Sequence, residues 1–251
     1  MMDICIELSG VAVTITTEKE ELLHRFATYI RAGNGEICIA VDAGDLAFER
    51  KKSIDESILE GIQPRVLPDE YLEFIALQRK IAEKMFDYDT LVFHGSVVAV
   101  DGQAYLFTAK SGTGKSTHTA LWRRIFGEKA VMINDDKPFL RITEDEVIAY
   151  GSPWNGKHGL GTNTCTPLKG ICLLERGENN SIQRISGKDA LFMLLQQSNR
   201  PMDKSKMPKY MELLDRLAKN VAFYRMQCNM DPAAAVMSYE AMSGKQFGEA
   251  K

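Results

Sequence analysis

Eight consecutive residues, Ala109-Lys110-Ser111-Gly112-Thr113-Gly114-Lys115-Ser116, combine the groups needed to hold a phosphate chain. Such an anion is bound by backbone N–H groups curled around it, and Gly112 and Gly114 can adopt the positive φ that a Cβ penalises. Lys115 adds a mobile positive charge for the outer phosphates, and the hydroxyl of Ser116 is a hard oxygen donor suited to Mg²⁺. With Ser111, Thr113 and Thr117 completing the turn, residues 111–117 are predicted to bind a nucleotide at the positive end of a helix that starts there. ATP with Mg²⁺ is the expected ligand pair.

Asp135-Asp136 ends an apolar strand twenty residues after Lys115. Two adjacent carboxylates can divide the work, one orienting Mg²⁺ and the other accepting a proton from an attacking hydroxyl or water. Standing alone the pair would read as a solvated turn; beside a phosphate loop it reads as part of a site. His94 lies in the apolar run Leu91–Val100, which turns back at Asp101-Gly102. That register predicts that His94 emerges near Thr108 and Ala109, where it could hydrogen-bond a carboxylate and adjust its pKa. The segment from Gly151 to Asn163 is rich in glycine and polar residues and holds Trp154, Lys157 and His158. It is predicted to be an exposed lid, mobile without ligand, that carries Lys157 to the transferred phosphate. Arg176 and Arg200 are weaker candidates for the same role, with surface ion pairing as their alternative use.

These residues need elements to position them. Gln103–Thr108 is rich in β formers and Thr117–Arg124 has no Gly or Pro, so the loop is predicted to join a strand to a helix. Further strands are expected over residues 4–8, 11–15, 37–41, 131–133, 139–142, 147–150, 168–174 and 221–226. Helices are expected over residues 69–88, 188–198, 205–220 and 232–242. Thr17 and Glu20 have the spacing of a capping box, with Leu22, Leu23, Phe26 and Ile30 as the buried stripe of the helix that follows. The strand over 91–100 and the one feeding the loop form a hairpin, so an antiparallel partner precedes the loop where a simple βαβ fold would have a crossover.

The chain has 251 residues, 45% hydrophobic and 26% charged, which suits a large folded core. Its 31 basic and 34 acidic residues leave a net charge of −3, which argues against nucleic acid or an anionic membrane as partner. The five cysteines, Cys5, Cys38, Cys165, Cys172 and Cys228, show neither zinc nor disulfide spacing and read as reduced core thiols, as in a cytoplasmic protein. No basic leader followed by a long apolar run opens the chain.

Taken together, HGS at 94–96, AKSGTGKST at 109–117, INDDKP at 133–138 and GSPWNGK at 151–157 resemble the kinase domain of HPr kinase/phosphorylase and its relatives. The resemblance spans about residues 91–200. It implies a mixed α/β fold of largely antiparallel sheets with a P-loop and flanking helices, a core shared with phosphoenolpyruvate carboxykinases. It also implies that His94, Lys115, Ser116, Asp135 and Asp136 form one site, with Asp135 as the base that activates the acceptor hydroxyl and Asp136 left to share the metal with Ser116. Ala109 stands where the pattern usually has Gly, and the downstream Arg-Gly-rich signature of the phosphorylase reaction is missing. The expectation is a stand-alone kinase-like protein, with a small α/β region over 1–90 packed on a P-loop kinase core over 91–251. It would be a phosphotransferase acting on a hydroxyl of a protein, peptide or small molecule, and related kinases form homo-oligomers. A nucleotide-binding regulatory module without transferase activity, or a carboxykinase-like enzyme, are the alternative readings.

Overall fold

A computed structural model describes residues 1–59, 61–110 and 112–248. The chain divides into two compact units, Met1–Met85 and Phe86–Lys251.

In the first unit, β1 (Met2–Leu8) and β2 (Val11–Thr17) form an antiparallel hairpin. Its turn places both Ser9 (φ 52°) and Gly10 (φ 75°) in the left-handed region, the twist that two-residue hairpins favour. A short helix α1 (Glu21–Phe26) follows, then β3 (Ile37–Ala40), parallel to β2, and the helices α2 (Ala43–Leu59) and α3 (Asp69–Met85). Helix α3 buries Leu72, Leu77, Ile81 and Met85. The expected capping box does not form. Thr17 still belongs to the strand, and its hydroxyl donates to Glu73 and accepts from the Lys19 N–H, so α1 starts without a side-chain cap. The helix also stops before Ile30, which is extended, bridges to Ile6 and stays half-exposed.

Helix α2 falls where periodicity gives no signal, because its side chains are mostly exposed and Glu49 is its buried residue. Ion pairs hold it instead: Arg79 reaches Asp45 (2.8 Å) and Glu49 (2.5 Å), and Lys80 reaches Asp45 (2.6 Å).

The second unit contains β4 (Thr90–Val92), β5 (Ser96–Val100), β6 (Gln103–Thr108), α4 (Lys115–Phe126), β7 (Val131–Asn134), β8 (Phe139–Ile142) and β9 (Val147–Tyr150). It continues through β10 (Cys165–Arg176), β11 (Ser181–Ile185), α5 (Gly187–Gln197), α6 (Met207–Asn220), β12 (Ala222–Cys228) and α7 (Ala233–Ser243). The strands join in the order β4-β8-β9-β10-β6-β5-β7, with β12 also on β10 and β11 on β12. Most pairings are antiparallel. The exceptions in this unit are β10 with β6 and β10 with β12. Strand β10 is the hinge of the architecture: residues 165–167 pair with β9, and after an irregularity at Leu168/Gly170 the rest runs between β6 and β12.

The two-residue period of β6 sorts its side chains to opposite faces. Ala104 and Leu106 join a cluster with Leu194 of α5 and Leu213, Leu214 and Leu217 of α6. Tyr105 and Phe107 face Trp122 of α4 and Tyr239 of α7. Helices therefore cover both faces of the sheet around β6, and the ends of its strands are left for a site. Of the cysteines, Cys5 and Cys172 are buried, but Cys38 and Cys165 are exposed, so the five are not uniformly core thiols. Among the described residues no helix is long and apolar enough to cross a membrane.

Candidate functional site

The site begins where β6 ends. Thr108 gives way to Ala109, the chain turns through Gly112 (φ 74°) and Gly114 (φ 125°), and α4 starts at Lys115. Both glycines use backbone conformations that side chains resist. Ala109 needs no such freedom; it is fully buried, and its methyl group packs in the cluster that holds Phe107 and Trp122. This explains why alanine is accepted at that position. Ser111 lies outside the described residues. Ser116 and Thr117 are exposed in the first turn of α4, where backbone N–H groups have no intrahelical partner. Arg176, from the end of β10, donates to the carbonyls of Gly112 (2.6 Å) and Thr113 (3.4 Å), tying the loop to the neighbouring strand.

The carboxylates arrive from β7. Asn134, the last residue of that strand, folds its side chain forward, so that Oδ1 accepts the N–H groups of Asp136 (2.8 Å) and Lys137 (2.7 Å). Its Nδ2 donates to Ser152. This turn fixes the direction of the pair. Asp135 is 6% exposed, and its Oδ1 accepts from Ser96 Oγ at 2.7 Å. Asp136 is more open. Burial raises its proton affinity, and Asp135 adds to the rise against the opposing pull of Lys137 and Lys115.

His94 sits in a break between β4 and β5, where one continuous strand was expected. The N–H groups of Phe93, His94 and Gly95 are taken by the carbonyls of Pro138, Gln197 and Asp136, so the chain leaves one set of strands and enters the other. Thr108 Oγ1 donates to the His94 carbonyl at 2.8 Å, the proximity that the hairpin register implies. The carboxylate that His94 approaches is Asp136, with Nε2 to Oδ1 at 3.5 Å, too long for a good hydrogen bond. That contact would favour the imidazolium. Burial, then the charges of Lys137 and Lys115, push the His94 pKa down to about 3 against a side-chain hydrogen bond with Gln197 that raises it, so the ring is neutral at pH 7. Lys115 is half-buried in the same field. Burial lowers its pKa, Asp136 and Asp135 oppose the shift, and Lys137 reinforces it. The structure thus brings His94, Lys115, Asp135 and Asp136 together.

No protein-family model matches the chain, and no curated protein matches it in sequence. Among solved structures, the HPr(Ser) kinase/phosphatase from Coxiella burnetii is similar at 15% identity and a TM-score of 0.29, over 51% of this chain and 95% of that one. This is a distant structural likeness, from which neither family nor activity follows.

The segment from Gly151 to Asn163 differs from the expected mobile lid. Trp154 is 4% exposed, stacked on Phe139 with ring centroids 6.1 Å apart, and its carbonyl accepts the Lys137 N–H. Gly151 donates to Thr164, Thr162 donates to Ile133, and Leu160 packs against the cluster beneath α4. The segment is pinned at both ends, and Lys157 stands exposed on its outer part. Gly156 brings its backbone against Asp135 and Asp136, so the segment acts as a wall beside the carboxylates.

Sequence reasoning passed over Ser96, Asn134, Lys137, Ser152 and Gln197. Ser96, Asn134, Lys137 and Ser152 lie inside the motifs and Gln197 ends α5, but their roles depend on partners remote in sequence. For Arg176, ion pairing was the favoured alternative, and its bonds to the loop carbonyls were not foreseen.

Among the described residues no three His, Cys, Asp or Glu side chains stand close enough to hold a metal by themselves. The donor set nevertheless suits Mg²⁺, which takes one or two protein oxygens and fills its shell with water and phosphate. Asp136 is a carboxylate whose charge is disfavoured by burial and by Asp135, a cost that a nearby cation would relieve. Ser116 offers a hydroxyl in the first turn of α4.

Proposed function

We propose that this protein is a phosphotransferase that binds ATP and moves its terminal phosphoryl group to a hydroxyl of a protein, peptide or small molecule. The observation that supports it best is the convergence of three segments. Lys115, at the mouth of the glycine turn, shares one buried electrostatic field with Asp135, Asp136, Lys137 and His94. Beside such a loop one carboxylate suffices to share Mg²⁺, and the second, held by Ser96, is available to take the acceptor proton.

In this reading the loop amides and Lys115 hold the phosphate chain and offset the negative charge that grows on its equatorial oxygens. The acceptor oxygen forms a bond to the terminal phosphorus, the bond from that phosphorus to the bridging oxygen breaks, and ADP leaves. Asp135 takes the hydroxyl proton on the oxygen not held by Ser96. Neutral His94 lines the site beside Asp136, whose turn Asn134 holds. Mg²⁺, held by Ser116 and Asp136, would supply further neutralisation of the phosphate oxygens. Lys157 is proposed to meet the transferred group from the outer wall.

Lys115→Ala tests the binding half of the proposal. Titration calorimetry should show a marked loss of ATP affinity and little change for adenosine, because only phosphate contacts are removed. Equal ATP affinity in the variant would sink the phosphate-loop reading.

A further inference from the structure

A cavity of about 490 Å³ opens at the end of β10, beside Arg225 of β12 and against α5. It is separate from the carboxylates, yet Lys110, Thr113 and Arg176 contribute to both its lining and the glycine turn. Strand order gives this position its meaning. The turn follows β6, the carboxylates follow β7 beyond β5, and the cavity lies on the other side of β6, at β10. Gln197 walls it off from His94, accepting the His94 N–H on its backbone carbonyl and the Thr108 hydroxyl on its side chain.

A triphosphate laid across the turn has two ends. The end that reacts must face Asp135 and Asp136, so its other end points towards β10. We propose, resting on the phosphotransferase reading above, that this cavity binds the nucleoside of the donor nucleotide. Phe192 provides the platform for its base. Phe192 is 71% exposed at the cavity, and Met193 and Leu173 supply apolar surface beside it. The flat face of a base needs such a surface, while its edge and the ribose need hydrogen-bonding groups, which Gln196 and Arg225 offer. A size of some hundreds of cubic ångströms is typical of sites for compact small molecules.

The test compares ATP with tripolyphosphate, each with Mg²⁺, by titration calorimetry on the full chain. Phe192→Ala should weaken ATP by about 10-fold or more, the scale of losing one stacked aromatic, and leave tripolyphosphate unchanged. Phe192→Tyr should retain ATP affinity. Lys115→Ala should weaken both ligands. ATP affinity unchanged by Phe192→Ala, while Lys115→Ala still abolishes it, would overturn the nucleoside assignment and leave the phosphotransferase reading standing. Equal losses for ATP and tripolyphosphate in Phe192→Ala would also overturn it, since the ring would then act on the turn. A wild-type chain that binds neither ligand would refute the phosphotransferase reading, and this assignment with it.

Discussion

Two glycine-rich segments border the site, and glycine serves opposite purposes in them. In the turn before α4, Gly112 has positive φ and open space where a Cβ would stand. In the segment that starts at Gly151, the same residue type permits contact: a Cβ there would run into the backbone of Thr162 and Ile133. Composition makes the two look alike, as polar loops able to move. The first is tied to its neighbouring strand by one side chain, Arg176, at the carbonyls of Gly112 and Thr113, whereas the second spends its backbone on Thr164, Ile133 and Lys137. Glycine content alone therefore does not identify a moving part; the partners of the backbone do.

The largest expected effect concerns the chemistry beside these segments. Asp135→Asn keeps the side-chain shape but cannot accept a proton, so turnover should fall by roughly 10²–10⁴-fold with Mg²⁺-ATP binding nearly intact. Asp136→Asn should instead weaken the Mg²⁺ dependence of ATP binding. Calorimetry and phosphoryl-transfer assays would separate the two, and the reverse pattern would exchange their roles. Full transfer by both variants would remove the pair from the mechanism.

Next comes the wall. Trp154→Ala should cost about 3–5 kcal/mol of stability in urea unfolding, as expected for emptying a buried aromatic site. A loss below about 1 kcal/mol would restore the mobile-lid reading. The direct comparison of glycines is sharper. Gly151→Ala should destabilise by about 3 kcal/mol because the obstacles are backbone atoms that cannot rotate aside. Gly112→Ala meets no neighbour and should cost only about 1 kcal/mol, from its positive φ. Its measurable defect should be ATP affinity. Equal thermal shifts for the two would erase the distinction drawn here.

The smallest effect is on pH dependence. The folded chain holds His94 neutral down to about pH 3, whereas an unfolded histidine titrates near 6.5. As pH falls through 6.5 the unfolded chain gains a proton that the folded chain refuses. The stability associated with this group is thus present above that pH and lost progressively towards 3. His94→Gln should lessen the fall in stability between pH 7 and 5, measured by urea unfolding. His118, pushed down to about 4 by burial, should keep part of the slope in the variant. An unchanged slope would argue against a buried neutral His94.

Local physics made much of this legible in the sequence. The strand–turn–helix around Lys115 follows from β formers, two glycines and a run without breakers, and the Asp101-Gly102 turn implies that His94 comes back to Thr108. Short-range rules suffice there, because the partners are neighbours in the chain or across one hairpin. Helix α2 was not legible, since ion pairs to Arg79 and Lys80 hold a helix whose own pattern shows no apolar face. Nor was the break at His94-Gly95, which exists because Pro138, Gln197 and Asp136 claim its N–H groups. The burial of Trp154 and the reach of Arg176 to Gly112 likewise depend on residues brought close only by the sheet. The sequence by itself determined which chemical groups the site has and the local turn that presents Lys115. Tertiary structure alone decided which carboxylate His94 approaches, which glycine segment is held still and where a cavity opens, because each is set by contacts between residues far apart in the chain.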